Sequence, residues 1–311
     1  IFGLAKNHMH PRSFPGGNSL ILRKIVKRML PDAITGEDTL DDVLNKSFRP
    51  EAFDVPGNAV RLRFSSMVTA VEHEGKDHVC VSYVRNGKAH KVRAKHVVLG
   101  IGGWIGKRIL KDAPKELFAA MDSYNHAPML TINIAVRHWK FFTDKGISAA
   151  QWYEGFGNFI NVRHPMSLGA YDEAADPSKP AVLSMYVSLE KPETGLAAKP
   201  QAALARAEML GMTYADIEAR ALNQLEAIFG DSGFDRERDV AGIIVNRWGH
   251  DYIAAPPGFF FGDENTPGAP DVIRKAYGRV HIGHCELNGA QTWSGACFEG
   301  RRAARECLKN A

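Results

Sequence analysis

The sequence predicts an α/β chain with a mixed-sheet region set between its two ends. Three observations predict it. Short apolar runs with strand character recur along the chain, two stretches carry the apolar period of a helix, and the chain closes on strand, loop and helix. Of 311 residues, 45% are hydrophobic, enough for a sizeable core in one large or two ordinary domains. Charged residues make up 24% and the net charge is +4. With Lys and Arg scattered among acids, this is a solvated surface, and no nucleic-acid partner is expected. No apolar run reaches the roughly 18 residues of a transmembrane helix. Cys80, Cys285, Cys297 and Cys307 show neither CxxC spacing nor a Cys/His array of zinc type, so no disulfide framework and no metal are expected. The chain starts at Ile1 without a Met or a signal peptide, so a cleavage or an unseen preceding segment is expected.

The elements follow in order. Pro15-Gly16-Gly17 is a turn, and Asn18 or Ser19 can cap the next helix by accepting a bond from an orphan N–H. Leu20, Ile21, Ile25, Val26 and Leu30 form its apolar stripe, and Pro31 ends it. Residues 32–55 read as a polar excursion with one short helix. VRLRF, MVTAVEH, HVCVSYV and HKVRAKHVVLG read as strands, with Asn86-Gly87 as a hairpin turn. The apolar HVVLGIG is expected to be buried on both faces. A helical stretch covers residues 107–121, and MLTINIAVRHW reads as a strand. Residues 145–190 alternate aromatic strands with loops. Tyr214, Ile217, Ala221, Leu222, Leu225 and Ile228 define a second amphipathic helix, and DVAGIIVNRWGHDY another strand.

The closing stretch GRVHIGHCELNGAQTWSGACFEGRRAA carries the chemistry. Val280 and Ile282 alternate with polar residues, as in a short strand. Glu286 lies just past its C-terminal end. Ser294-Gly295-Ala296 opens the last helix, where small residues admit a ligand and free N–H groups favour an anion or an electron-rich carbonyl. The same pattern also suits an ordinary strand–loop–helix that closes a sheet.

This stretch resembles the C-terminal flavin motif of the flavin-dependent amine oxidase superfamily, and its spacing is most similar to the polyamine (spermidine) dehydrogenase branch. FPGGN before a helix, VRLRFSSMVTAVEHEG, AKHVVLGIGG and NRWGHDY resemble further family segments in the same order. The resemblance implies an FAD-binding Rossmann-like domain with an inserted mixed-sheet (α+β) substrate domain. The FAD-binding parts would be 1–31, 56–120 and 270–311, and the substrate domain 121–269. FAD would touch Val68, Gly283, Glu286, Trp293, Ser294, Gly295, Ala296, Cys297 and Phe298. Trp248, Thr131 and Asn133 would border the substrate, and His250 and Tyr252 would carry proton transfer or line the cavity.

Two departures matter. The family's opening GxGxxG loop is absent, and GIGGWIG at Gly100–Gly106 lacks the third glycine in place, so it reads as a tight turn. The Rossmann-like domain is therefore expected to be incomplete at its N-terminus, with the glycine loop on a second chain or a cleaved segment. The lysine found near the flavin in many amine oxidases has Thr131 or Asn133 at the matching strand.

Together these imply an FAD-dependent oxidoreductase, chain or subunit, acting on an amine by hydride transfer to flavin N5, with an electron-acceptor partner and a periplasmic location, or otherwise a soluble cytoplasmic one. The alternatives are a non-catalytic structural subunit of the same fold and a family oxidoreductase with a non-amine substrate. Trp152, Tyr153 and Phe156 suit either a cavity or a sheet face. His8 and His10 lack a third metal ligand nearby, and Asn45-Lys46-Ser47 is a formal glycosylation acceptor.

Overall fold

A computed structural model describes residues 12–168 and 176–309. The chain forms two compact units, each drawn from three segments. One takes the chain up to Phe64, Leu130–Val187 and Met212–Asn246; the other takes Ser65–Met129, Ser188–Gly211 and the chain from Arg247 onward. The His8/His10 pair lies outside the described residues.

The first unit begins with a short strand, β1 (Arg12–Ser13), and helix α1 (Ser19–Met29). The α1 stripe is split: Leu20 and Leu30 are buried, whereas Ile25 is exposed. The expected side-chain cap does not form at Asn18; instead the Ser19 hydroxyl donates to the Gly16 carbonyl. Lys27 is buried, because its Nζ donates to the carbonyls of Pro31, Ile34 and Gly36 and so holds the chain as it leaves the helix. Helix α2 (Leu40–Asn45) is the short helix expected in the excursion, capped by Thr39. The stretch VRLRF is not a strand: it pairs as a strand with none of the described residues, and Arg61 and Arg63 turn instead to Asp54.

The second unit opens with a meander, β2 (Ser66–Glu74), β3 (His78–Arg85) and β4 (Lys88–Ala94). Asn86 and Gly87 both have positive φ, as a two-residue hairpin requires, and Arg85 pairs with Lys88. The expected strand HKVRAKHVVLG is two strands. The chain breaks at Lys95-His96, and β5 (Val97–Leu99) leaves the meander for a different sheet. Val98 is 44% exposed, so β5 is not buried on both faces; among the described residues one strand flanks it. The expected helix at 107–121 is also two, α3 (Gly103–Ile109) and α4 (Lys115–Asp122), separated where Pro114 cannot continue a helix.

β6 (Met129–Val136) returns to the first unit with Leu130, Ile132, Ile134 and Val136 all buried on one face. Helix α5 (Lys140–Asp144) follows, then β7 (Ala149–Gln151), β8 (Phe159–Val162), β9 (His164–Pro165) and β10 (Ala181–Ser188). Helix α6 (Ala198–Gly211) belongs to the second unit, and α7 (Tyr214–Phe229) to the first. Thr213 and Asp216 cap α7 reciprocally, which satisfies two orphan donors. Ile217, Ala221, Leu222 and Leu225 are buried as expected, and Phe229 lies 4.4 Å from the Phe142 ring. Tyr214 is exposed and only its hydroxyl turns back, to the Ile243 carbonyl. After the single turn α8 (Arg236–Asp239), β11 (Val240–Trp248) completes a sheet in the order β11–β6–β10–β8–β7.

The chain ends in the second unit with α9 (Ala269–Arg274), β12 (Val280–Ile282) and α10 (Trp293–Lys309). β12 pairs in parallel with β5, Val280 to Val97 and Ile282 to Leu99. The expected alternation fails, because His281 is as deeply buried as its neighbours and meets His96, the residue before β5. Glu299 of α10 is fully buried between Arg274 and Arg302, and Arg302 also donates to the Ile282 carbonyl. A buried carboxylate shared by two guanidiniums ties α9, β12 and α10 together.

Gly283 follows β12 where α10 crosses. A Cβ there would stand 2.9 Å from the Glu299 carbonyl oxygen and 3.0 Å from Ala303 Cβ. Gly283→Ala should therefore cost about 1–3 kcal/mol by overpacking, read as a lower urea midpoint at unchanged slope. Gly100→Ala, whose Cβ meets nothing nearer than 3.9 Å, should stay within about 0.5 kcal/mol of the parent.

Candidate functional site

The site grows from the parallel pair β5–β12, since in α/β sheets ligands sit beyond the carboxyl ends of the strands. Beyond β5, Gly102 and Gly103 lead into α3. Beyond β12, a 3-10 turn at Cys285–Asn288 leads to α10. The two turns meet at Glu286, which is 3% exposed. One carboxylate oxygen accepts from the Gly103 N–H, and the other meets His126 Nε2 at 2.8 Å.

The glycines leave room for this contact. A Cβ on Gly103 would sit 3.2 Å from Glu286 Oε1, and one on Gly102 would meet the Trp104 ring at 2.9 Å and Glu286 Oε2 at 3.2 Å. Neither residue has a positive φ, so crowding by Glu286 and Trp104, rather than turn geometry, favours glycine at both. The sequence predicts a tight turn at GIGGWIG; that its glycines meet an acid follows only from the parallel pairing of β5 with β12.

Around this contact, Trp104 stacks on His250 with ring centroids 4.0 Å apart and 7° between planes. Arg206 donates to the carbonyls of His126 and Gly249. Burial, then the charges of Arg206 and His126, lower His250 from 6.5 to about 4. It is therefore a neutral imidazole near neutral pH. Asp251 was missed by the sequence reading although it lies between His250 and Tyr252. Its Oδ2 is buried with no hydrogen-bond partner among the described residues, and burial raises its pKa. Tyr252 is 47% exposed, and Trp248, at the end of β11, 52%.

The first turn of α10 is open. Ser294, Cys297 and Phe298 are exposed, while Trp293, Gly295 and Ala296 are half-buried. Thr292 caps the helix through its hydroxyl, which accepts from the Gly295 N–H at 3.0 Å. A Cβ on Gly295 would lie 3.0 Å from Thr292 Oγ1 and 3.2 Å from Asn288 Nδ2. Arg274 holds the Asn288 side-chain oxygen at 3.4 Å, while Nδ2 is buried with no partner among the described residues. An unmatched buried donor beside a residue kept free of a side chain suits an electron-rich oxygen. Val68, on β2, is 37% exposed.

Thr131 and Asn133 belong to the other unit, on the half-buried face of β6. Asn133 Oδ1 accepts from the Ser184 hydroxyl at 2.8 Å, and that hydroxyl accepts from Arg163 Nε at 2.9 Å. Arg163 also donates to the Tyr186 hydroxyl. In the same unit, Phe156 lies under the Arg220 guanidinium, 4.2 Å from it, and Tyr153 is almost wholly exposed.

This geometry meets known proteins. The family described as flavin containing amine oxidoreductase matches residues 35–308, and the chain belongs to it. FAD is that family's cofactor. Among solved structures, cyclohexylamine oxidase from Brevibacterium oxydans is similar at 16% identity and a TM-score of 0.53, over 78% of this chain and 47% of its own. A single-site cofactor-redesign mutant of putrescine oxidase is similar at 15% identity and a TM-score of 0.55, over 82% of this chain and 50% of its own. Wild-type putrescine oxidase bound to putrescine is similar at 14% and 0.51, over 78% and 48%. At such identity the likeness is one of fold, and it fits an α/β FAD-binding architecture. The chain spans about half the length of these oxidases. A search of curated protein sequences finds no match.

The residues present fit a flavin nucleotide. Asn288 Nδ2 and the helix-start amides offer donors for a carbonyl or phosphate oxygen, and Gly295 places no side chain among them.

Two outcomes follow. Glu286→Ala leaves the Gly103 N–H and His126 buried without their acceptor and should cost about 3 kcal/mol, measured by urea unfolding. The second concerns pH. Because the folded value of His250 lies below 6.5, protons favour the unfolded chain once the pH drops under 6.5. Its contribution is present above that pH and lost as the pH falls toward about 4. The unfolding midpoint of His250→Gln should therefore decline less steeply than the parent's across that window.

Proposed function

We propose that this chain forms part of an FAD-dependent oxidoreductase that oxidises an amine-type substrate. The single observation that carries the reading is the unmatched Asn288 donor beside Gly295, at the open start of α10, in a chain of this family. When bound, FAD supplies, at N5, the acceptor for a hydride equivalent from the carbon next to the amine nitrogen.

The chain's own residues position and shield. The amides around Ala296, Cys297 and Phe298 face the flavin carbonyl end and favour negative charge there through the helix dipole. Trp293 and Ser294 wall that end, and Val68 lies along the adenine end. Gly283 lets α10 approach the strand closely enough to set this geometry. Glu286 acts through the backbone: it fixes the turn at Gly103, and that turn borders the nucleotide. His250 presents a lone pair at neutral pH and accepts a substrate proton, with Tyr252 and Trp248 bordering the substrate.

The same reading includes a second chain or cleaved segment carrying the GxGxxG half of the site. The two-stranded parallel sheet β5–β12 supports it. Parallel sheets are covered on both faces, yet Val98 on β5 is 44% exposed. A protein electron acceptor and a periplasmic location rest on the resemblance to the polyamine dehydrogenase branch.

A second reading, a family oxidoreductase for a non-amine substrate, draws on Arg163. Its guanidinium joins Asn133 through Ser184, and a cation beside a substrate strand disfavours a protonated amine and favours an anionic group.

The test is a visible spectrum of the protein isolated natively with all its chains, each identified by mass spectrometry. Bleaching of an oxidised-flavin spectrum by one of a set of amines under anaerobic conditions is expected. Bleaching only by carboxylate-bearing or apolar compounds selects the second reading. Absence of flavin leaves a structural subunit. Gly295→Val should abolish flavin retention, while crowding of Thr292 and Asn288 lowers the unfolding free energy by about 1–3 kcal/mol and leaves the chain folded. Flavin retained at the parent level by this variant would remove α10 from the cofactor site.

A further inference from the structure

Among the described residues, His96, His281 and Cys307 each bring one ligand atom within 4.8 Å of the other two. They come from three places in the second unit: the residue before β5, the middle of β12 and the last turns of α10. His281 is fully buried, and His96 and Cys307 are half-buried, so the group sits at the edge of the fold, within reach of solvent. His96 Nδ1 and His281 Nε2 face each other at 3.2 Å. In a tetrahedral zinc site, with bonds of about 2.0–2.3 Å, neighbouring ligand atoms stand about 3.3–3.8 Å apart. The imidazole pair stands at the short edge of that spacing, and Cys307 needs to close by at most about an ångström, a side-chain rotation.

The surroundings supply the outer partner that metal-bound imidazoles use. His281 Nδ1 is buried and makes no hydrogen bond among the described residues, yet Glu306 Oε2 lies 3.5 Å from it. A carboxylate at that nitrogen keeps its proton on Nδ1 and leaves the Nε2 lone pair free for a metal. Glu306 is held in turn by Arg302 through both oxygens.

We propose that His96 Nδ1, His281 Nε2 and Cys307 Sγ form a zinc(II) site that pins the end of α10 to the β5–β12 pair, with water as the fourth ligand. Two nitrogens and a sulfur with no further protein ligand suit a borderline-soft divalent ion. Binding displaces the Cys307 thiol proton to solvent. It also moves the His96 proton from Nδ1 to Nε2, so Arg279 Nη1, now 3.0 Å from Nε2, withdraws. Arg279 keeps its hold on the Lys76 carbonyl through Nε. The site is independent of flavin.

The test uses the full chain, stripped with a chelator and titrated with zinc(II) against a chromophoric competitor. Cobalt(II) serves as a second probe, for its thiolate charge-transfer band in the near ultraviolet. The expected result is one tightly held zinc per chain, a raised Tm on binding, and affinity more than about tenfold weaker in both Cys307→Ser and His96→Gln. The cobalt band should vanish in Cys307→Ser. His281 is left intact because its burial makes misfolding a confounding result. Absence of stoichiometric uptake, or uptake that neither variant weakens, overturns the proposal. Flavin content is measured on the same samples, so loss of the zinc site and loss of the cofactor reading are separate results.

Discussion

The second unit is organised around one buried carboxylate. Glu286 receives the Gly103 N–H on one oxygen and His126 on the other. Those partners come from the turn after β5 and from the approach to β6, while Glu286 itself follows β12. A charge so deeply buried persists only when its oxygens are matched, because desolvation otherwise outweighs what it gains. Three chain segments are thereby held at fixed spacing beyond the carboxyl ends of two parallel strands. The glycines at 102 and 103 fit this arrangement, since a side chain at 103 would crowd the carboxylate and one at 102 would crowd both it and the Trp104 ring.

A second ionic layer lies behind the first. Glu299 is shared between Arg274 and Arg302, and Arg302 continues to Glu306. This layer fixes α10 along its length, while Gly283 sets how closely the helix crosses the strand. The start of α10 carries none of these ties. Its residues are open and Asn288 keeps an unmatched donor there. The rigid end and the open end of one helix divide the labour, the first giving a fixed support and the second a surface for a ligand. Histidines recur around both layers. His250 lies against Trp104 beside His126, and His281 against His96 near Glu306.

Much of the fold was legible along the chain. The Asn86-Gly87 hairpin, the alternating burial of β6 and the capped, amphipathic α7 are local consequences of turn chemistry, period two and period 3.6. The errors are equally physical. VRLRF has strand composition, but strands need a partner, and none pairs there. HKVRAKHVVLG reads as continuous because nothing in its composition marks the crossing from one sheet to another at Lys95-His96. The apolar β5 suggested two covered faces, whereas its exposure depends on how many strands lie beside it.

The sequence by itself determined the local elements, the family motif from Gly278 to Ala304 and the small residues that open α10, because each depends on neighbours within a few positions. Tertiary structure alone decided which distant groups share a proton or a charge. Glu286 meets Gly103, 183 residues away, and His96 meets His281 across 185. Burial leaves Asp251 Oδ2 without a hydrogen-bond partner among the described residues, and the three proposed zinc ligands come from separate elements. Spacing along a chain carries no record of such meetings, since they depend on the parallel pairing of β5 with β12 and on the path of α10 across it.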